Sequence, residues 1–93
     1  VLGSSGPAVR TIQTQLNTIS DTYSAINKVR VDGAYGQETA DAVSAFQRIF
    51  NMPVSGVVDF ATWYRISNIY VAITRIAELS VQRIHNINEP YRY

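Results

Sequence analysis

One loop, written twice, limits what this chain can fold into. Gly33-Ala-Tyr-Gly36-Gln-Glu-Thr39 has the form Gly-x-x-Gly-x-x-Thr. Gly56-Val-Val-Asp59-Phe-Ala-Thr62 repeats it twenty-three residues on, with Asp at the fourth place. Asp32-Gly33 is a turn signal, because Asp bonds its own backbone and Gly tolerates positive φ; Ser55-Gly56 marks the second turn. Gly36 and Asp59 stand where helix N-caps belong, and Asp is the stronger cap. Glu38 falls in the first turn of its helix, where a carboxylate suits the positive end of the dipole. Gly33 and Gly56 are therefore predicted at φ > 0.

The helices between the loops repeat as well. Val9-x-x-Ile12-Gln13-x-x-Leu16 matches Val43-x-x-Phe46-Gln47-x-x-Phe50. The first helix opens at Pro7, tolerated at the first helical position, and carries Val9, Ile12, Leu16 and Ile19 on one face. The second runs from Gln37 to Phe50 and stops before Pro53. The third, from Phe60 to about Ile84, holds a long stripe through Trp63, Ile66, Ile69, Tyr70, Ile73, Ile76, Ala77, Val81 and Ile84. Asn86 and Asn88-Glu89-Pro90 supply its stop. The fold predicted is all-α, a small three-helix bundle of duplicated loop–helix units with an extended C-terminal helix. Residues 1–93 form one domain, with a core over about residues 2–70 and a helical extension and tail over 71–93. Ile12, Leu16, Val43, Phe46, Phe50, Trp63 and Ile66 are its expected core.

Charge and composition remove whole classes of function. The net charge is +1, and no dense basic face of the kind nucleic-acid binding needs is present. No apolar run approaches the ~18 residues of a membrane span, and the first residues do not read as a signal peptide. Cysteine is absent, which excludes disulfides and thiolate metal sites. His85 and Glu89 are spaced i, i+4, but two ligands make no metal site, so neither metal nor cofactor is expected. Asp32 and Asp59 have turn and cap roles, and Glu38 and Asp41 lie on a solvated helix face. No pair of acids or nucleophile–base set reads as catalytic.

The opening Gly-Ser-Ser-Gly-Pro-Ala-Val-Arg-Thr-Ile-Gln-Thr-Gln-Leu, then Val31–Thr39, Ala42-Val-Ser-Ala-Phe-Gln47 and Pro53–Trp63, in this order and spacing, resembles the type 1 peptidoglycan-binding domain family. The resemblance covers about Leu2 to Ile66. It implies a three-helix, non-catalytic module that binds bacterial cell-wall peptidoglycan, located extracellularly at the wall and attached to a hydrolase or another wall-active domain. Two departures stand out: the link Ser20–Arg30 is longer than usual, and the chain runs about 25 residues past the usual end. The rival reading is a protein-interaction module that uses its long helix, as a homodimer or on a parent domain, through Ile76, Val81 and Ile84. The link is expected to cover the middle of that helix, Tyr70 and Ile73, and could itself form a short helical turn near Ile26.

The ligand is expected at the rim formed by the Asp32–Gly36 loop and the C-terminal end of the second helix, because glycan sites pair an aromatic face with a few hydrogen-bonding groups. Asp32, Tyr35, Arg48, Asn51 and Tyr64 are the candidate contacts. Tyr35 covers the loop or lines a groove, Tyr64 lies on the far edge of its helix, and Trp63 is assigned to the core. Gln13 and Gln47 sit about 40° off the apolar stripes. Bonding of each amide to a neighbouring loop is preferred over a glycan contact, since buried polar atoms must be satisfied.

Overall fold

The computed structural model describes the backbone of residues 4–86 and the side chains of residues 4–76. Three helices follow in order, α1 (Pro7–Thr22), α2 (Gln37–Ile49) and α3 (Phe60–Asn86), and there is no named strand among the described residues. Before α1 the chain is clipped to the first loop. Gly6 N–H donates to Gly33 O (2.9 Å) and Tyr35 N–H to Ser4 O (2.8 Å), around a single antiparallel bridge between Ser5 and Ala34.

The two loops share one construction. Gly33 has φ 77° and Gly56 φ 71°, as their turns require. Asp32 Oδ1 accepts from Ala34 N–H (3.0 Å), and Ser55 Oγ accepts from Val57 N–H (3.2 Å). A buried glutamine then staples each loop to its helix. Gln13 Oε1 accepts from the N–H groups of Asp32 (3.1 Å) and Gly33 (2.9 Å), and its Nε2 donates towards Asp32 Oδ1, Ala34 O and Thr39 Oγ1 at 2.9–3.0 Å. Gln47 Oε1 accepts from Ser55 (2.9 Å) and Gly56 (3.0 Å), and its Nε2 donates towards Ser55 Oγ, Val57 O and Thr62 Oγ1 at 3.1–3.2 Å. The glutamines are therefore structural. An amide presents both donors and an acceptor at one point, which is what a turn with inward-facing N–H and C=O groups needs.

Ile12, Leu16, Ile19, Val43, Phe46 and Ile66 form the buried core. Phe50 packs on its edge, tilted against Phe46 with ring centroids 4.6 Å apart and edge-on to Tyr23 at 5.1 Å. Trp63 does not belong to the core, contrary to the pattern of its helix: it is 46 % exposed. Thr62 takes the inward place instead, because its hydroxyl must meet the Gln47 amide. At ~100° per residue, turning Thr62 inward swings Trp63 to the flank. Among the described side chains, α3 thus turns Thr62, Ile66, Ile69, Tyr70 and Ile73 towards the bundle.

The long link contains a single turn, closed by Ile26 N–H to Tyr23 O (3.0 Å), rather than a helix. It is part of the core, with Ile26 and Val29 buried. Asn17 holds it by a two-way bond to the backbone of Val29, and Ser20 Oγ donates to Ile26 O (2.6 Å). Tyr70 and Ile73 pack against the same core. Beyond them the described apolar side chain of α3 stands in water, with Ile76 64 % exposed. The side chains of Val81, Ile84 and His85, and all of Glu89, lie outside the described residues. No described helix is long and apolar enough to cross a membrane.

Candidate ligand-binding site

The first turn of α3 carries three aromatic rings in water. Phe60 is 77 % exposed and Tyr64 56 %, with Trp63 beside them. Positions i, i+3 and i+4 of a helix share one side, so the rings gather. Phe60 stacks between the other two, its centroid 6.2 Å from Trp63 and 6.0 Å from Tyr64 at interplanar angles of 30° and 20°. The result is a ridge. Monomeric proteins rarely leave such a patch uncovered without a partner for it.

A groove lies on each side of the ridge. The first, about 320 Å³, runs between the start of α1 and the start of α3, with Ala8, Val9 and Ile12 on one wall and Phe60 and Trp63 on the other. Tyr35 and Val58 contribute to its lining, and Asp59 is its charged group. The second, about 540 Å³, is lined by Met52, Phe60, Ala61, Tyr64, Arg65, Asn68 and Ile69.

The ridge is held in place by the N-cap of α3. Asp59 Oδ1 accepts from Thr62 N–H (2.8 Å), as the loop motif predicts. That N–H, and then the Thr62 hydroxyl, hold the Asp59 carboxyl below its ordinary pKa, so it is ionised at neutral pH. Since Thr62 Oγ1 also accepts from Gln47, a line of hydrogen bonds runs from the buried amide to the cap beneath the ridge.

The sequence-predicted contacts are scattered by the fold. Tyr64 stands on the ridge and in the second groove. Tyr35 contributes to the first groove but is only 3 % exposed, so it offers no open aromatic face. Its hydroxyl donates to Gly56 O (2.6 Å), tying the first loop to the second, and burial pushes its pKa up to about 12. Asp32 is exposed but engaged: the Ala34 N–H, and then the Gln13 amide, hold its carboxyl below the usual range. Arg48 is exposed in the last turn of α2, where a cation suits the dipole.

Asn51 has φ 60° and follows the C-cap of α2; Met52 N–H donates to Gln47 O (2.8 Å) and Asn51 N–H to Arg48 O (3.4 Å). This is a Schellman close with asparagine in the left-handed place. Asp32, Arg48 and Asn51 line neither groove. Phe60 and Trp63 are the ridge residues that sequence reading did not select as contacts, Trp63 having been assigned to the core. Their signal was the spacing Phe60-x-x-Trp63-Tyr64, which reads equally well as a buried stripe. Among the described residues no three His, Cys, Asp or Glu side chains come together as a metal site.

Comparison with known proteins gives the family of the fold. No functionally curated protein matches the sequence. The chain is similar to the crystal structure of the SleB N-terminal domain, at 29 % identity and a TM-score of 0.63, over 74 % of this chain and 88 % of that one. The family model of the peptidoglycan binding domain matches residues 5–66, from the clip before α1 to Ile66, the last fully buried residue of α3 among the described side chains. The chain therefore belongs to the peptidoglycan binding domain family, whose function is the non-catalytic binding of cell-wall peptidoglycan.

Proposed function

We propose that this chain is the wall anchor of a longer, wall-active protein, and that it grips peptidoglycan at the aromatic ridge of α3 and the two grooves beside it. The observation that carries this is the exposure of Phe60, Trp63 and Tyr64 together on one turn. Flat apolar rings flanked by a few polar groups suit pyranose rings, which are apolar on their faces and polar at their edges. Residues 1–93 act as one module, located outside the cell at the wall, and raise the local concentration of whatever they are joined to.

Pull-down on purified insoluble peptidoglycan tests the site. Phe60→Ala with Trp63→Ala should abolish retention, whereas Asp32→Ala, Arg48→Ala and Asn51→Ala, if folded, should keep most of it. The opposite pattern would return the site to the rim expected from the sequence. A second reading, self-association or contact with a neighbouring domain along α3, draws on the exposure of Ile76. It predicts a dimer in gel filtration at high micromolar concentration that Ile76→Lys disperses.

A further inference from the structure

Resting on that reading, we propose that the two grooves divide one ligand between them: the Trp63 groove takes a sugar ring of the glycan strand, and the Arg65 groove takes a carboxylate of the peptide attached to it. The two sides of the ridge differ in charge. The charged group of the first groove is Asp59, already ionised and committed to the cap. A carboxylate brought there meets a like charge, whereas a sugar meets an apolar wall, the indole of Trp63, and an acceptor for one hydroxyl. The second groove has no carboxylate in its lining and presents Arg65 and Asn68 beside Tyr64.

Arg65 is prepared for an anion. Its guanidinium carbon stands 6.0 Å from the centroid of the Phe50 ring, which positions the group without neutralising it. It has no carboxylate partner among the described residues, where the salt bridge found is Lys28–Asp21. A guanidinium offers a rigid fork of donors that matches a carboxylate. Peptidoglycan carries both chemistries close together, since each substituted sugar bears a short peptide with free carboxylates. Phe60 belongs to both grooves, so a ligand lying over it engages both at once. Glycan without free carboxylates satisfies one side only, and so does a free peptide.

Competition in the pull-down separates the two. Soluble glycan strands with their peptides, and the same strands stripped of peptide by an amidase and then amidated at the carboxylate that hydrolysis leaves on the sugar, are titrated against retention on insoluble wall. The native protein should prefer the substituted strands by about tenfold, the worth of one charge-assisted contact. Arg65→Gln should lose that preference and bind both as the native protein binds stripped strands, and raised salt should have the same effect. Trp63→Ala should weaken both equally. Binding by the native protein without preference, or a preference that survives Arg65→Gln, overturns the division of the ligand while leaving wall binding intact. No retention of the native protein on wall overturns the proposed function and this inference together.

Discussion

Two copies of one unit sit side by side in this fold, and they differ where it matters. Gln13 with the Asp32–Thr39 loop and Gln47 with the Ser55–Thr62 loop use the same bonds at nearly the same lengths. Even the crowding at the glycines corresponds: a Cβ on Gly33 would approach Arg10 and Gly6, and one on Gly56 would approach Ser44 and Ala40, each thirty-four residues further on. The helix starts then diverge. Gln37, Ala40 and Asp41 of α2 occupy the places that Phe60, Trp63 and Tyr64 occupy in α3. Ala40 is buried against the second loop, whereas Trp63 looks into a groove. The duplicated hydrogen bonds make a scaffold, and the positions freed from it carry the ridge.

The largest effect should come from the shared core. Phe46→Ala and Ile12→Ala change equivalent places, and Phe46→Ala should lower stability by about 3–5 kcal/mol in chemical denaturation, with Ile12→Ala at about 2–5. If the units unfold together, either variant shifts one common transition to lower denaturant; a second transition left at the native midpoint would show that they are independent. Next come the staples. Gln13→Leu and Gln47→Leu each strand buried N–H groups, at roughly 1–3 kcal/mol per group. Comparable losses would establish the two copies as energetic equals, and a near-neutral result at either would break the equivalence.

Glycine substitution should resolve a finer difference. Gly56→Ala meets Ser44 Oγ at 3.0 Å, but the nearest atoms at Gly33 are 3.4 Å away. Both add the cost of a left-handed backbone, about 1–2 kcal/mol, and Gly56→Ala should be the more damaging. Equal losses would mean that Ser44 turns aside freely.

The loops were legible before the coordinates because their signals are local. Glycine after Asp or Ser, a cap three residues on and a glutamine in register with each helix stripe each point to one geometry. Trp63 was not legible, since hydrophobicity favours Trp over Thr for the inside. Only the bond from Gln47 to Thr62, a contact across fifteen residues, reverses that order. Tyr35 posed the same problem, because its burial depends on reaching Gly56 in the other loop. The link Ser20–Arg30 has no period because it enters the core as two single residues, Ile26 and Val29, fastened by Asn17 and Ser20 rather than as a helix.

The remaining effects are those of pH. In the folded chain Asp32 and Asp59 both lie below the ordinary 3.8, so the unfolded chain takes up protons first as acid is added. Their contribution is complete at neutral pH and is lost as pH falls below about 4 through the folded values. Tyr35 behaves oppositely. Its pKa is raised from 10.0 to about 12, so stability is full below pH 10 and declines between pH 10 and about 12, as the unfolded chain releases a proton that the folded chain keeps. Denaturation midpoints across this range should show the alkaline loss in the native protein and a flatter profile in Tyr35→Phe. Persistence of the same loss in that variant would assign it elsewhere.

The length of α3 has a mechanical consequence. The ridge occupies its first turn, while its last described residue, Asn86, lies twenty-six residues further on, a rise of about 39 Å at ~1.5 Å per residue. The ridge and Asn86 therefore lie at opposite ends of one rod, whose described side chains pack on the bundle as far as Ile73. Were the wall to seat the ridge as proposed, a pull applied at Asn86 would reach it along the length of α3, with that helix as its lever arm.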